Sequence, residues 1–160
     1  MQLRDPVHLV SPRAVAYWTV RAVPLWVLVL VVELFWLPNW QGHPGLRAAV
    51  AALTVLLAAA HLIVMPRWRY RVHRWEVTDE ALYTRSGWFS VHWRIAPISR
   101  IQTIDSHRSV GERLFGLANV TATTASAAGP VRIHGLDREL ADRLLDQLAV
   151  ATGQTPGDAT

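Results

Sequence analysis

The sequence predicts an α+β protein with a two-helix transmembrane hairpin, followed by a bent antiparallel β-sheet of about six or seven strands that one C-terminal helix caps. Three observations predict this class. Two apolar runs of helix length lie near the start of the chain, short segments of alternating polarity follow, and the last apolar residues recur at helical spacing. The predicted domains are a lead-in at 1–16, the hairpin at 17–66, the sheet domain at 67–152 and a polar, disordered tail at 153–160.

The hairpin is predicted from two apolar segments, at about 17–37 and 47–65. Each is long enough to cross about 30 Å of hydrocarbon. The turn-forming segment "PNWQGHPG" separates them. A buried core hairpin of a soluble protein is an alternative, but the remaining domain is too small to cover two such helices. A cleaved signal peptide fits poorly, because the first run is long and a second follows at once.

The arginines predict the orientation of the hairpin. All 16 basic residues of the chain are arginines, and they cluster before the first span and after the second, whereas the connecting loop has only Arg47. The positive-inside rule therefore predicts a multi-pass protein of the cell (inner) membrane with both termini in the cytoplasm. This distribution also accounts for the net charge of +4, so no nucleic-acid partner is predicted. Four tryptophans are predicted near the membrane interfaces, namely Trp18, Trp36, Trp40 and Trp68.

Glu33 and His61 are ionisable residues inside the predicted spans, where such residues are candidates for function. Glu33 is expected about one turn from the outer end of the first helix, paired with Arg47 or wetted by headgroup water. His61 is expected near the inner end, at the depth of Arg21 and Trp18. The alternative is transport or proton relay, which would require oligomers because one hairpin lines no pathway.

The segment after the second span carries the candidate membrane-interface and lipid-binding residues. Cationic side chains beside a span attract anionic headgroups, although they also act simply as a topology signal. These candidates are Arg67, Trp68, Arg69, Arg71 and Arg74.

Periodicity predicts the elements of the soluble domain. The segment "RWRYRV" alternates and predicts a strand at 67–72, and a slip at His73 and Arg74 predicts a bulge or a break. Turns are expected at 78–80 and Gly87, and Pro97 ends the next strand. Further strands are predicted at 81–87, 88–95, 100–109, 117–126 and 131–135, with a helical turn at 110–116.

The C-terminal helix is predicted at 137–152, with Asp137 as its N-cap and Gly153 as its stop. Its apolar stripe must bury against an end or a face of the sheet. The stripe consists of Leu140, Ala141, Leu144, Leu145 and Leu148.

This order of elements is that of a pleckstrin-homology (PH)-like domain, and the residues at about 5–150 resemble the bacterial PH-like domain family of membrane proteins, formerly a domain of unknown function. The resemblance rests on a "VTDEAL" entry, a P-x-x-R-I-Q motif and an E-R-x-x-G-L motif. The motif residues, which we expect to be structural, are Pro97, Arg100, Ile101, Gln102, Glu112, Arg113 and Gly116. The family has no established enzymatic activity, so the resemblance implies a non-enzymatic protein.

One cluster in this region invites a catalytic interpretation, namely Asp105, Ser106 and His107. Consecutive residues of a strand point to opposite faces, so Ser106 cannot hydrogen-bond either neighbour as a nucleophile must. Scaffolding explains the region better, with Arg100 and Arg113 bonded to backbone or to Glu112. The alternative is a basic patch of Arg100, His107, Arg108 and Arg113 for a phosphate or an acidic partner.

No catalytic residue, metal site or cofactor is predicted. The chain has no cysteine, its seven histidines include no H-x-x-x-H pair, and it has no glycine-rich phosphate loop. We expect an interaction or assembly module whose partners are the lipid membrane and another membrane protein with PH-like domains, or a second copy of itself. An anionic-lipid sensor that uses the juxtamembrane arginines is the alternative, and a subunit of a membrane transport complex is a third hypothesis.

Overall fold

The computed structural model describes residues 5–39, 43–125 and 129–153. The helices are α1 (Arg13–Trp36), α2 (Pro44–Val72), α3 (Val110–Leu114) and α4 (Arg138–Thr152). The strands are β1 (His8–Leu9), β2 (Arg74–Val77), β3 (Ala81–Gly87), β4 (Val91–Pro97), β5 (Ile101–His107), β6 (Leu117–Thr124) and β7 (Val131–Asp137). The predicted α+β class is confirmed. Trp40 and the predicted tail beyond Gly153 lie outside the described residues.

The two long helices form the predicted hairpin. With 24 and 29 residues they are about 36 and 43 Å long, and both are apolar enough to cross a membrane. Contacts between residues 26 and 61, and between residues 33 and 54, show that the helices run antiparallel. Most of their large apolar side chains are exposed on the chain itself, which is what a helix facing lipid requires.

The strand predicted at 67–72 is wrong, because α2 continues through this segment to Val72. A growing helix gains one hydrogen bond for each residue added, whereas a new strand needs a partner. Pro66 lies inside α2 without ending it. The expected break is real and falls at His73, after which β2 begins at Arg74.

The described part of the lead-in, residues 5–16, packs as part of the sheet domain. Its strand β1 pairs antiparallel with β2, placing His8 opposite Trp75. Val10, Ala14 and Trp18 then extend the domain core into the first turns of α1. Trp18 is only 4% exposed, so it packs inside the protein rather than at a lipid interface.

The domain consists of two antiparallel sheets, with strand orders β1-β2-β3-β4 and β5-β6-β7. Helix α4 packs on the second sheet through Ala141, Leu144 and Leu148, which confirms the predicted buried stripe. Asp137 occupies the N-cap position, but its carboxylate accepts a hydrogen bond from Ser11 rather than capping the helix.

The hairpin between β3 and β4 differs from its prediction. Gly87 makes the expected turn with a φ of +140°, a conformation that only glycine adopts easily. Residues 88–90, expected at the start of a strand, instead form the tip of this hairpin, and β4 starts at Val91. The tip carries Trp88 and Phe89, and Phe89 is 94% exposed.

Candidate functional site at the membrane interface

The base of the membrane hairpin is built into the domain around Trp18. The Arg69 guanidinium carbon lies 4.4 Å from the centre of a Trp18 ring, and the His73 ring lies 5.2 Å from Trp18. The carbonyl of Arg69 accepts hydrogen bonds from the backbone N–H of His73 at 2.9 Å and from its Nδ1 at 2.8 Å. Burial, with the Arg69 charge as the next cause, lowers the pKa of His73 to about 4, so His73 is neutral at pH 7.

His61, expected at the depth of Arg21 and Trp18, lies in an aromatic cluster beside Trp26. The indole N–H of Trp26 donates to His61 Nδ1 at 2.9 Å. An indole can only donate, so Nδ1 accepts and any ring proton of a neutral His61 sits on Nε2. The Trp88 ring lies 5.7 Å from the His61 ring, which brings the β3–β4 tip against the membrane helix.

The tip is held against α2 by a second contact. The indole N–H of Trp68 donates to the carbonyl of Trp88 at 3.2 Å. Since His61 lies 11 residues before the last residue of α2, the tip reaches about 16 Å back along that helix toward the membrane. The tip residue Trp88 therefore lies against the apolar helix α2, and aromatic side chains are enriched where proteins meet the membrane interface.

An apolar cavity of about 690 Å³ lies between the tip and the hairpin. It is lined by Trp26, Leu57, Ala60, His61, Val64, Met65, Trp68, Trp88 and Phe89. Most of these side chains are hydrocarbon or aromatic, so the cavity suits an apolar chain and offers little to a polar solute.

Glu33 has a partner within the hairpin that the sequence did not predict. The Thr54 hydroxyl donates to Glu33 Oε1. Glu33 and Arg47 also line one cavity of about 340 Å³ near the end of the hairpin at which α1 ends and α2 begins. Glu33 thus accepts a hydrogen bond from Thr54 and shares a small pocket with Arg47, and these contacts account for its position without a transport role.

The four juxtamembrane arginines do not form one cluster. Arg67 and Arg71 are exposed one helical turn apart on α2. Arg69 points to the other side, over Trp18, and Arg74 reaches the carbonyl of Pro6 at 3.5 Å. Only Arg67 and Arg71 thus remain placed to meet lipid headgroups as a pair.

Among the motif residues, Glu112 has a dense set of hydrogen bonds. Its carboxylate accepts from the backbone N–H of Ser109 at 2.7 Å, from the Ser109 hydroxyl at 2.8 Å and from Asn119 Nδ2 at 2.6 Å. Asn119 Oδ1 in turn accepts from the backbone N–H of Gly135 at 3.0 Å. Burial alone would raise the pKa of Glu112, but these hydrogen bonds outweigh it and the pKa is lowered. One buried carboxylate thus links α3, β6 and β7.

Arg100 and Arg113, the arginines of the two motifs, were expected to bond to backbone or to Glu112, and the structure places them differently. Glu112 is bound by Ser109 and Asn119 rather than by Arg113, and the side chains of Arg100 and Arg113 are exposed. Arg100 precedes β5 and His107 ends it, which puts them about 23 Å apart. Gln102 is also exposed on β5, whereas Ile101 is buried in the core.

The predicted basic patch therefore does not form, because its members lie at the two ends of β5. Arg108 pairs with Asp142 of α4 instead. Asp105, Ser106 and His107 follow one another on β5 and are exposed, so they lack the mutual geometry of a catalytic triad.

Sequence reasoning missed two features near the membrane. It did not single out the tip residues Trp88 and Phe89, because they were assigned to a strand. It also missed a polar cavity between the sheets, although "HWR" at 92–94 and "RIH" at 132–134 each place a histidine and an arginine on one strand face. Strand spacing was the available signal, but which faces meet is decided by sheet packing.

Comparisons with known proteins agree with this architecture. The family model described as "Bacterial PH domain" matches residues 21–152. UPF0699 transmembrane protein YdbS of Bacillus subtilis (strain 168) is 27% identical over 159 residues, which covers 96% of this chain and 98% of that protein. No solved structure shows a significant match to the chain.

Proposed function

The chain belongs to the bacterial PH domain family, and from this premise we propose that it is a non-enzymatic assembly module. In this proposal the transmembrane hairpin anchors a cytoplasmic PH-like domain that binds a β-strand from a second PH-like domain. One observation carries the proposal, namely the open edge of β4.

Strand β4 pairs with β3 over its whole length, from Val91 to Pro97. Its other edge has no neighbouring strand in the described part of the chain. Val91 and Ile95 are 39% and 45% exposed on this edge strand. An edge strand of seven residues that carries exposed apolar side chains favours pairing with another chain.

A strand of another PH-like domain is the occupant that fits best. It would satisfy the backbone groups of β4 and bury Val91 and Ile95 with apolar side chains of its own. The membrane anchor supports this choice, because two anchored domains meet at high effective concentration in one plane. The second domain belongs either to another membrane protein or to a second copy, which makes a symmetric edge-to-edge dimer.

The absence of cysteine makes a site-specific test direct. A single cysteine at Ile95 of the tagged full-length protein would carry a photo-crosslinker in the native membrane. We expect a discrete crosslinked product that mass spectrometry identifies as a second membrane protein or as this chain. A matched cysteine at Leu114, 80% exposed on α3, should give no such product.

The second measurement asks whether the contact is an edge contact. Ile95→Lys should abolish the crosslink formed from a cysteine at Val91, because a charge would be buried in the new interface. Leu114→Lys should leave that crosslink intact. Equal crosslinking at Ile95 and Leu114, or no product at either, would contradict the assembly proposal.

The cytoplasmic location is part of the proposal. It is supported by the arginines at the base of the hairpin, where the start of α1 and the end of α2 meet the domain. Two reporter enzymes are fused after Thr160, one that is active only in the cytoplasm and one that is active only outside it. We expect activity from the first and none from the second, and activity of the second would overturn the orientation.

Lipid sensing is the second candidate, and the exposed pair Arg67 and Arg71 favours it. The test needs the full chain, since a fragment that begins at residue 67 would lack the core residues Val10, Ala14 and Trp18. In nanodiscs, anionic lipid should be enriched around the wild type and not around Arg67→Gln/Arg71→Gln. The enrichment should fall as salt rises. Equal enrichment around both proteins would remove this candidate.

A further inference from the structure

A polar cavity of about 380 Å³ opens between the two sheets, beside the β3–β4 tip. Among the described residues that line it, none is acidic, and all but one are hydrogen-bonding side chains. These are Thr84, Ser86, His92, Arg94, Arg132 and His134.

The cavity continues the layer that forms the domain core. Leu82 and Ala96 pair across β3 and β4 and are fully buried against the second sheet. Toward the tip the same face carries the polar pairs Thr84–Arg94 and Ser86–His92. Strand β7 adds Arg132 and His134, two residues apart on one face. The layer between the sheets thus changes from apolar to basic as it approaches the tip.

The charge of the cavity is positive and fixed. Arg94 and Arg132 both line the cavity, and a guanidinium group is a cation with a rigid fork of hydrogen-bond donors. Arg94 Nη1 donates to the carbonyl of Pro130 at 2.9 Å, which orients its guanidinium across the gap between β4 and β7. Burial, followed by the charges of Arg69 and Arg132, lowers the pKa of His134, whereas the charge of Glu112 acts in the opposite direction. Arginine donors beside threonine and serine hydroxyls match the oxygens of a phosphate group.

The location of the cavity points to a phosphate at the membrane surface. The tip contacts α2 at His61 and Trp68, as described above. Ser86 lies just before the tip on β3 and pairs with His92 just after it on β4, and Arg94 lies about 10 Å from the start of β4 at Val91. The headgroup layer is about 5–8 Å thick on each side of the hydrocarbon. With the tip at the interface, the arginines of the cavity lie at headgroup level.

We propose that this cavity binds a phosphate group, supplied by the headgroup of a phospholipid whose acyl chain follows the apolar cavity beside α2. The site is distinct from Arg67 and Arg71. It is also independent of the β4 edge, because Val91 and Ile95 point away from it.

The test uses the full-length protein in detergent, titrated with phosphatidic acid or phosphatidylglycerol and observed by native mass spectrometry. Arg94→Gln and Arg132→Gln should each weaken lipid binding about ten-fold or more, the loss typical of a charge-assisted hydrogen bond. The lipid affinity of Arg132→Lys should lie between those of Arg132→Gln and the wild type, because lysine keeps the charge and loses the forked donor.

Arg143→Gln, which changes an arginine on α4, is the matched control and should bind lipid as the wild type does. The thermal midpoint of each variant checks that it is folded. Both arginines are exposed, but Arg94 also donates to the carbonyl of Pro130, so Arg132→Gln is the safer of the two substitutions.

A second arm separates the two sources of phosphate. Inorganic phosphate and glycerol 3-phosphate are titrated into lipid-free protein and followed by the ³¹P signal. If the wild type binds these soluble phosphates and Arg132→Gln does not, the cavity is a phosphate site open to soluble ligands. If the wild type binds lipid but neither soluble phosphate, the cavity is a headgroup site. Wild-type lipid and phosphate binding by folded Arg132→Gln would overturn the proposal. So would equal losses in Arg132→Gln and Arg143→Gln, or a loss confined to Arg67→Gln/Arg71→Gln.

Discussion

The Arg69 guanidinium lies over the face of Trp18, with 4.4 Å between its central carbon and a ring centre, and so joins the last turns of α2 to the first turns of α1. Trp18 is 4% exposed and belongs to the same core as the sheets. The hairpin is therefore not tethered to the domain by a loose linker. Its two helices enter the domain core, and a movement of one helix relative to the other would disturb that core.

The contact between Arg69 and Trp18 should contribute measurably to stability. Arg69→Gln removes a partly buried cation–π interaction and should lower the free energy of unfolding by about 1–2 kcal/mol. Trp18→Ala leaves a cavity in the core and should cost about 3–5 kcal/mol. Thermal unfolding of the full chain in detergent, followed by circular dichroism, measures both effects. Arg67→Gln, an exposed change on the same helix, should stay within about 0.5 kcal/mol of the wild type. Arg69→Gln and Arg67→Gln with the same thermal midpoint would show that the stacking contributes nothing.

The close approach of α1 to β7 depends on Gly135. Its φ is +78°, and a Cβ at this position would lie 3.0 Å from the Cβ of Ala14. Gly135→Ala should therefore cost about 2–4 kcal/mol, from backbone strain of about 1–2 kcal/mol and from overpacking. The matched control is Gly45→Ala, which meets nothing within 4 Å in the first turn of α2. The control should be neutral or slightly stabilising, because alanine favours a helix. Wild-type midpoints for both variants in chemical denaturation would contradict this close packing of α1 against β7.

The sequence predicted elements whose periodicity is long enough to be unambiguous. Two long apolar runs and the stripe of α4 fall in this group. The segment 67–72 was assigned wrongly because six alternating residues fit a strand and the end of a helix equally well. Strand β1 has only two residues and leaves no periodic signal. Apolar composition placed Trp18 at the membrane boundary, but composition does not tell whether a side chain there faces lipid or protein.

One part of the candidate site could be predicted from the sequence and another part could not. The segment "SVGE" at 109–112 is a capping box in sequence, and in the structure Ser109 and Glu112 form both of its hydrogen bonds. That Asn119 would complete the set depends on the pairing of α3 with β6, which local spacing does not show. The cavity between Arg94 and Arg132 depends on two different sheets, so no single stretch of sequence predicts it.

The hydrogen bonds of Glu112 give a prediction about the E-R-x-x-G-L motif. Glu112→Gln keeps the shape of the side chain but presents an amide donor to one of the existing donors, on Ser109 or Asn119. We expect a loss of about 2–3 kcal/mol, the range for hydrogen bonds to a buried charged group. Asp105→Asn removes an exposed carboxylate of β5 and should change stability by less than about 0.5 kcal/mol. Urea denaturation of the full chain in mild detergent compares the two variants, and a Glu112→Gln midpoint equal to that of Asp105→Asn would exclude this structural role.

His73 predicts how stability depends on pH. Its folded pKa of about 4 lies below its ordinary value of 6.5, because the ring is buried and lies near Arg69. Above pH 6.5 the ring is neutral in both states and contributes no pH dependence. As the pH falls below 6.5 the unfolded chain takes up a proton that the folded protein does not, so stability decreases down to about pH 4. At 1.36 kcal/mol for each pKa unit, the full loss from this residue is about 3 kcal/mol. His134, whose pKa is also lowered, acts in the same direction.

Thermal midpoints of the full chain should therefore fall less steeply between pH 7.5 and 4.5 for His73→Gln than for the wild type. The comparison concerns the slopes, so it holds whatever the difference between the two midpoints at neutral pH. His43→Gln changes an exposed histidine before α2 and should keep the wild-type slope. All three proteins contain the same acidic residues, so a His73→Gln slope identical to that of His43→Gln would mean that the His73 ring is accessible to protons in the folded state.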